Sequence, residues 1–321
     1  GDLDMAITTF AEYASGRPND SRRFAARFNL AQAHQARGDF VIAADLYRTL
    51  INDDPSSGER FRSIVPLVQC LLADQDPLND ADAERMLISM LSGGMSPEAP
   101  DFRLALNELG ALYYRGARYP QAIERLTESL ERFPGANDAS MIRYMLADAM
   151  RLSAAQIGGS LVQAMPQAQR QELLTLQEQR LGQALALYQE ICESSVERDL
   201  RRMSELDRIA LRNAYFYRAD CAFDLGQFEQ AIDYYDAAAN RYSDDAASLV
   251  AMIQIVNAYT KMGQWAEAQT ANERARQRFR ELPASAFERA DLPLERRHWE
   301  RWLDSATELA QQSDQGAEPS H

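Results

Sequence analysis

The residues able to do covalent or metal chemistry are few and scattered. The histidines are His34, His298 and His321, and the cysteines are Cys70, Cys192 and Cys221. No His-x-x-x-His, Cys-x-x-Cys or acidic calcium loop brings ligands to the spacing a metal needs. No glycine-rich phosphate loop follows a strand, and no Gly-x-Ser-x-Gly elbow occurs. No catalytic residue, metal or cofactor is therefore expected. The three thiols lie on apolar helix faces. As an odd, dispersed set they read as buried small hydrophobes and not as a disulfide framework. The acid pairs Asp53-Asp54 and Asp244-Asp245 fall near expected helix ends, where carboxylates cap backbone N–H groups and complement the helix dipole. An active site built from dispersed residues is the residual enzymatic reading, since fold does not fix function.

The elements that hold these residues are helices. Of 321 residues, 46% are hydrophobic, enough for a large core. The 15 glycines and 12 prolines fall mostly between helical segments. Good helix formers dominate the rest and β-branched runs are almost absent, which predicts an all-α chain. The formal charge of -14 excludes a general nucleic-acid binder, which needs a basic surface. It also disfavours anionic membranes, and no apolar run reaches the roughly 18 residues needed to span one. Lys261 is the sole lysine, which reads as the codon bias of a GC-rich bacterial genome.

Internal repetition decides the fold class. The clearest unit runs from Arg103 to about Gly135 and contains Leu109, Gly110, Tyr113, Tyr119, Ala122, Leu126 and Pro134. Its Leu-Gly, Tyr, Ala and Pro spacing resembles the tetratricopeptide repeat family. The spacing recurs at Leu30, Ala31, Gly38, Phe40, Ala43, Tyr47 and Pro55. It recurs again at Ala219, Gly226, Phe228, Ala231, Tyr235 and Ala238, and at Ile255, Tyr259, Gly263, Trp265, Ala268 and Ala275. The second-helix alanines form a ruler: Ala6, Ala43, Ala83, Ala122, Ala184, Ala231 and Ala268, with gaps of 37, 40, 39, 62, 47 and 37. The resemblance implies a right-handed α-α superhelix, a solenoid of about six to seven helical hairpins over 1–283. The Ala83 and Ala184 units are degenerate. Gly38, Gly226 and Gly263 mark tight turns inside hairpins, where positive φ favours glycine. Gly1, Leu3, Ala6, Phe10 and Pro18 match only the second half of a repeat. The first helix of that hairpin is expected to lie before Gly1, with any signal or anchor.

The 62-residue gap predicts an insertion at about 154–180. Gly158-Gly159 is expected to break the chain, Met165-Pro166 to restart it, and Pro166 to Glu193 to form one long helix. Two readings stand for the insertion: an elongated hairpin packed on itself, or a docking or dimerisation protrusion. Asp291-Leu-Pro293 signals a further helix carrying Trp299, Trp302 and Leu303, read as a capping helix over 284–311. Residues 312–321 read as a disordered tail.

The resemblance also implies a concave surface lined by the first helix of each hairpin, one that takes peptides or protein segments. Carried across position by position, the candidate groove residues are Asn107, Tyr114, Arg115, Tyr144, Asp148, Arg151, Asn213, Phe216, Asp220, Phe223, Asn257 and Lys261. Asparagine amides can pair with a peptide backbone, and tyrosine and phenylalanine supply rigid anchors. Asp148 and Arg151 are also spaced to pair with each other. The lysine-asparagine-arginine carboxylate clamp of some family members is not matched. The expected function is a scaffold or adaptor with a protein or peptide partner, no nucleic acid and no membrane insertion by this segment. A self-associating module is the alternative. The junctions Phe133-Pro-Gly-Ala-Asn-Asp138 and Arg241-Tyr-Ser-Asp-Asp245 are similar to those of bacterial cell-envelope tetratricopeptide proteins. Examples are the Tol-Pal-associated periplasmic protein and the outer-membrane assembly lipoproteins. That similarity suggests an envelope or membrane-tethered location, with the cytoplasm as the alternative.

Overall fold

The computed structural model describes residues 2–16, 22–53, 59–73, 76–93, 95–161, 165–195 and 202–287, with Trp299 and Leu303. Pro55, Asp54, Asp291, Pro293 and the tail 312–321 lie outside the described residues. Among the described residues the regular structure is helical. The α-helices are α1 (Asp2–Gly16), α2 (Arg23–Arg37), α3 (Phe40–Asp53), α4 (Glu59–Leu72), α5 (Pro77–Ser92), α6 (Pro100–Arg115), α7 (Tyr119–Arg132), α8 (Ala139–Ser160), α9 (Gln167–Ser194), α10 (Glu205–Asp224), α11 (Phe228–Arg241), α12 (Ala247–Lys261) and α13 (Trp265–Glu281).

Two compact units divide the chain at α8, Gly1–Leu146 and Ala147–His321. In the first, each helix from α1 to α7 packs on the next, and α4 also touches α2 and α6. In the second, α9 to α13 pack in the same sequential way. The chain is therefore all-α, built from hairpins stacked in order. Even-numbered helices are first helices of hairpins, called A here, and odd-numbered ones are second helices, B.

The alanine ruler marks where B helices press on their neighbours. Ala43, Ala83, Ala122, Ala184 and Ala231 have no exposed surface, and Ala268 is also buried. Ala6 is half-buried on α1. Gly110 serves the same close approach from α6: a Cβ there would lie 2.6 Å from Leu126 Cδ2 and 2.8 Å from its Cγ. In the first unit, Phe28, Ala31, Ala43, Tyr47, Leu50 and Leu67 form one packed cluster from three successive helices. Helix starts carry the expected devices. Asp76 accepts the N–H of Leu78 at 2.9 Å, and Ser204 accepts that of Asp207 at 3.1 Å. Asp245 accepts the N–H of Ala247 at 2.9 Å and a hydrogen bond from Arg212 Nε at 2.6 Å, tying α10 to the start of α12.

The glycine pair at 158–159 does not end α8, which runs on through it to Ser160. Each glycine costs a helix only about 1 kcal/mol relative to alanine, too little to outweigh packing. A Cβ on Gly158 would meet only the movable amide end of Gln177, at 2.7 Å from Nε2. The helix α9 starts after Pro166 and runs 28 residues. Beyond α13, a short 3-10 turn spans Ala284–Phe287, and Phe287 meets Phe279 edge-on at 5.6 Å. Trp299 and Leu303 are buried, and Asn272 Nδ2 donates to the Leu303 carbonyl at 3.4 Å.

Candidate protein-binding groove

The turn inside each hairpin sets which residues of the A helix face outward. At Gly38, Gly226 and Gly263 the backbone takes φ of 90°, 74° and 71°. The N–H of each glycine bonds back three residues, to Gln35, Phe223 and Thr260, at 3.0, 2.9 and 3.1 Å. The following N–H bonds back five residues, to His34, Ala222 and Tyr259, at 2.9 Å in each case. This paired pattern is the Schellman close, which requires a left-handed residue after the helix. A fourth turn has the same bonds with alanine in the left-handed seat. Ala117 has φ 52°, its N–H reaches Tyr114 O at 3.1 Å, and Arg118 N–H reaches Tyr113 O at 2.9 Å.

Because the turns superimpose in pattern, residues counted back from the left-handed seat are equivalent. Nine, six and two residues before it stand Glu108, Ala111 and Arg115 on α6; Tyr217, Asp220 and Asp224 on α10; and Gln254, Asn257 and Lys261 on α12. These offsets form one helical stripe, and every member is at least partly exposed. The position ten residues before the seat is turned inward. It holds Asn107 and Phe216, and both are buried. Asn107 donates to Asp138 at 2.9 Å and accepts from the Ser129 hydroxyl. Phe216 packs on Tyr242 with ring centres 5.8 Å apart. Their polar and aromatic surface is therefore engaged inside the stack.

The remaining candidates are placed as follows. Arg115, Asp220, Asn257 and Lys261 lie on the stripe, and Asn257 Nδ2 donates to Gln254 Oε1 at 2.9 Å. Tyr114 and Phe223, three before the seat, are half-buried against the next helix's first aromatic residue, at 6.3 Å to Tyr119 and 5.3 Å to Phe228. Asn213 is half-buried and accepts from Arg212 at 3.3 Å. Tyr144 is half-buried on α8. In the first unit, the counting from sequence missed a chain of two amides and a carboxylate across three successive A helices. Gln35 Nε2 donates to Gln69 Oε1 at 3.2 Å, and Gln69 Nε2 donates to Glu108 Oε1 at 2.5 Å.

The second unit holds the most structured part of the surface. Arg151 donates to Asp148 Oδ1 through Nε at 2.9 Å and Nη2 at 2.6 Å. Tyr188 OH donates to the same oxygen at 3.0 Å. The guanidinium carbon lies 4.0 Å from the Tyr217 ring centre, within cation–π range. Burial is the largest single influence and opposes the Arg151 charge, yet Asp148 and Tyr188 together outweigh it and hold the Arg151 pKa above its ordinary value. On α10, the Asp220 carboxylate accepts from Tyr235 OH at 2.6 Å. Burial raises its pKa to about 6, although the Tyr235 hydrogen bond and the Arg151 charge both pull it down. Asp224, one turn on, is also raised, again chiefly by burial. Tyr217 and Asp224 were not among the sequence candidates; counting from Gly226 would have found both.

These side chains bind by hydrogen bonding, charge and stacking. Among the described residues, no group of three His, Cys, Asp or Glu side chains is placed to hold a metal. Burial pushes the Cys70 and Cys192 thiols up to about 11, away from the reactive thiolate form. No helix among the described residues is long and apolar enough to cross a membrane.

Comparison with known proteins agrees with this architecture. Two family models, both described as tetratricopeptide repeat, match residues 208–283 and 25–57. Those segments are tetratricopeptide repeats. No curated protein matches the chain in sequence. A tetratricopeptide repeat protein from Parabacteroides merdae is 13% identical, with a TM-score of 0.45, over 96% of this chain and 93% of that one. Pseudomonas aeruginosa pilF is 14% identical, with a TM-score of 0.42, over 79% and 90%. The nearly identical repeats of a Podospora anserina kinesin light chain are 14% identical, with a TM-score of 0.41, over 81% and 96%. At such distances none of their functions transfers to this chain.

Proposed function

We propose that the chain is a non-catalytic scaffold that takes a peptide or protein segment on the exposed stripe of its A helices. The observation that carries this reading is the shared register of α6, α10 and α12. Equivalent turns after these three helices hold a mostly polar stripe outward, while the position before it is buried on α6 and α10. The Asp148–Arg151–Tyr217 assembly adds fixed charge and a stacked aromatic ring to the second unit's part of that surface. Tetratricopeptide repeats bind proteins as a class, and the repeats themselves are established by the matches at 25–57 and 208–283.

The test is site-specific photo-crosslinking in a bacterial lysate. A benzophenone amino acid replaces Gln69 or Tyr217 on the A-helix surface, or Asp45 or Glu229, exposed on B helices. One discrete adduct from the first pair, absent from the second, supports the groove. Equal capture at all four positions removes it.

A second reading, self-association, has its own support. Leu3 and Met5 on α1 and Phe40, Val41 and Ile42 on α3 are 40–77% exposed, an apolar display of the kind that interfaces cover. Light scattering over a wide concentration range tests it; a constant monomer mass ends that reading.

A further inference from the structure

We propose that Asp220 and Asp224 seat a cationic side chain, the guanidinium or ammonium group of an arginine or lysine, in the partner's segment. The inference rests on the groove reading above and adds the chemistry of the ligand. Three B helices carry a fully buried tyrosine four residues after the ruler alanine: Tyr47, Tyr188 and Tyr235. Each reaches back to a side chain of an A helix. Tyr47 bonds Gln35 at 3.0 Å, Tyr188 bonds Asp148 at 3.0 Å, and Tyr235 bonds Asp220 at 2.6 Å. Asp148 and Asp220 are therefore counterparts in successive hairpins, each a carboxylate held from behind by a phenol.

The two differ in what stands three residues on. After Asp148 comes Arg151, which fills the seat with two N–H groups on the carboxylate and its planar face on Tyr217. After Asp220 comes Phe223, which brings no cation. No cation among the described residues is ion-paired with Asp220 or Asp224, and the one whose charge Asp220 feels, Arg151, is committed to Asp148. Asp224 stands one turn further along the same stripe. Its Cβ lies about 5–6 Å from that of Asp220, a spacing one guanidinium can bridge. A partly buried carboxylate whose one hydrogen-bond donor is a neutral phenol is less well satisfied than Asp148, and a bound cation reduces that penalty. The chain's net charge of -14 draws basic segments toward it at long range.

The experiment measures fluorescence anisotropy with labelled peptides of repeating Gly-Ser-Arg, Gly-Ser-Gln and Gly-Ser-Glu at physiological ionic strength. The wild-type chain is expected to bind the arginine peptide at least about tenfold more tightly than the glutamine peptide. An Asp220→Asn, Asp224→Asn variant is expected to lose that preference. A Glu229→Gln, Asp233→Asn variant, with the same change in charge on exposed α11 positions, is expected to keep it. Phe223→Arg installs the internal cation that Asp148 already has, and is expected to block the peptide without removing any acid. No difference between wild type and the first variant, or equal loss in the α11 control, overturns the proposal. If the preference fails while crosslinking at Tyr217 persists, the cation seat falls and the groove stands; if both fail, so does the groove.

Discussion

Replacing Asp220 by asparagine removes a charge that the fold holds at a loss. Its carboxyl moves from an ordinary 3.8 to about 6 in the native state, because burial disfavours the ion more than Tyr235 and Arg151 favour it. The native chain thus keeps a proton that the unfolded chain has already released. Stability from this group is complete below the unfolded value and is lost as pH rises through the native value, so it is gone above about 6. Two units correspond to about 3 kcal/mol, and partial exposure to solvent brings the expected effect nearer 2 kcal/mol. Asparagine keeps an oxygen for the Tyr235 hydroxyl and cannot ionise. The variant is expected to match wild type near pH 3 and to exceed it by about 2 kcal/mol at pH 7.5. Urea titrations followed by tyrosine fluorescence at both pH values measure this, with midpoints compared because stacked hairpins need not unfold in one step. A variant that is less stable than wild type at pH 7.5, or whose pH dependence is unchanged, refutes the account of Asp220.

Three further outcomes are expected. Ala117→Gly relieves a left-handed alanine worth about 1–2 kcal/mol, offset in part by the freer unfolded glycine. It should raise the melting temperature by a few degrees, while Gly226→Ala lowers it. Gly110→Ala drives a methyl to 2.6 Å from the buried Leu126 and should cost about 1–3 kcal/mol by denaturant titration. Cys70 and Cys192, buried and with thiols raised to about 11, should react with a disulfide reagent at pH 7.5 only after urea unfolding. Fast reaction of the folded chain contradicts their placement.

The hairpins could be read from sequence because close packing restricts residue type. Six of the seven ruler alanines are buried against neighbouring helices, and at three turns glycine announces the left-handed seat. The fourth turn hid because Ala117 occupies that seat against its own preference. The groove was harder for a physical reason. An A helix is flanked on several sides, so periodicity gives its stripes without saying which one faces out. Asn107 and Phe216 suit a binding surface chemically but sit one position off the stripe, and packing claims them. Asp148 and Asp220 were both named by carrying groove positions across from the repeat family, yet their likeness was not visible, because it depends on Tyr188 and Tyr235 from other helices. The Gly158-Gly159 break failed since two glycines at the end of a long helix cost too little in propensity to stop it.

Lys261 stands exposed on the α12 stripe, and no other side chain in the sequence carries a primary amine. Apart from the chain's α-amino group, an acylating reagent therefore has one address, and that address is on the surface proposed to take the partner. A fluorophore or a tether can be attached there in this chain with no engineered cysteine and no second lysine to mask. Acylation also deletes the only ammonium side chain, so the modified chain is itself a one-charge variant at that surface.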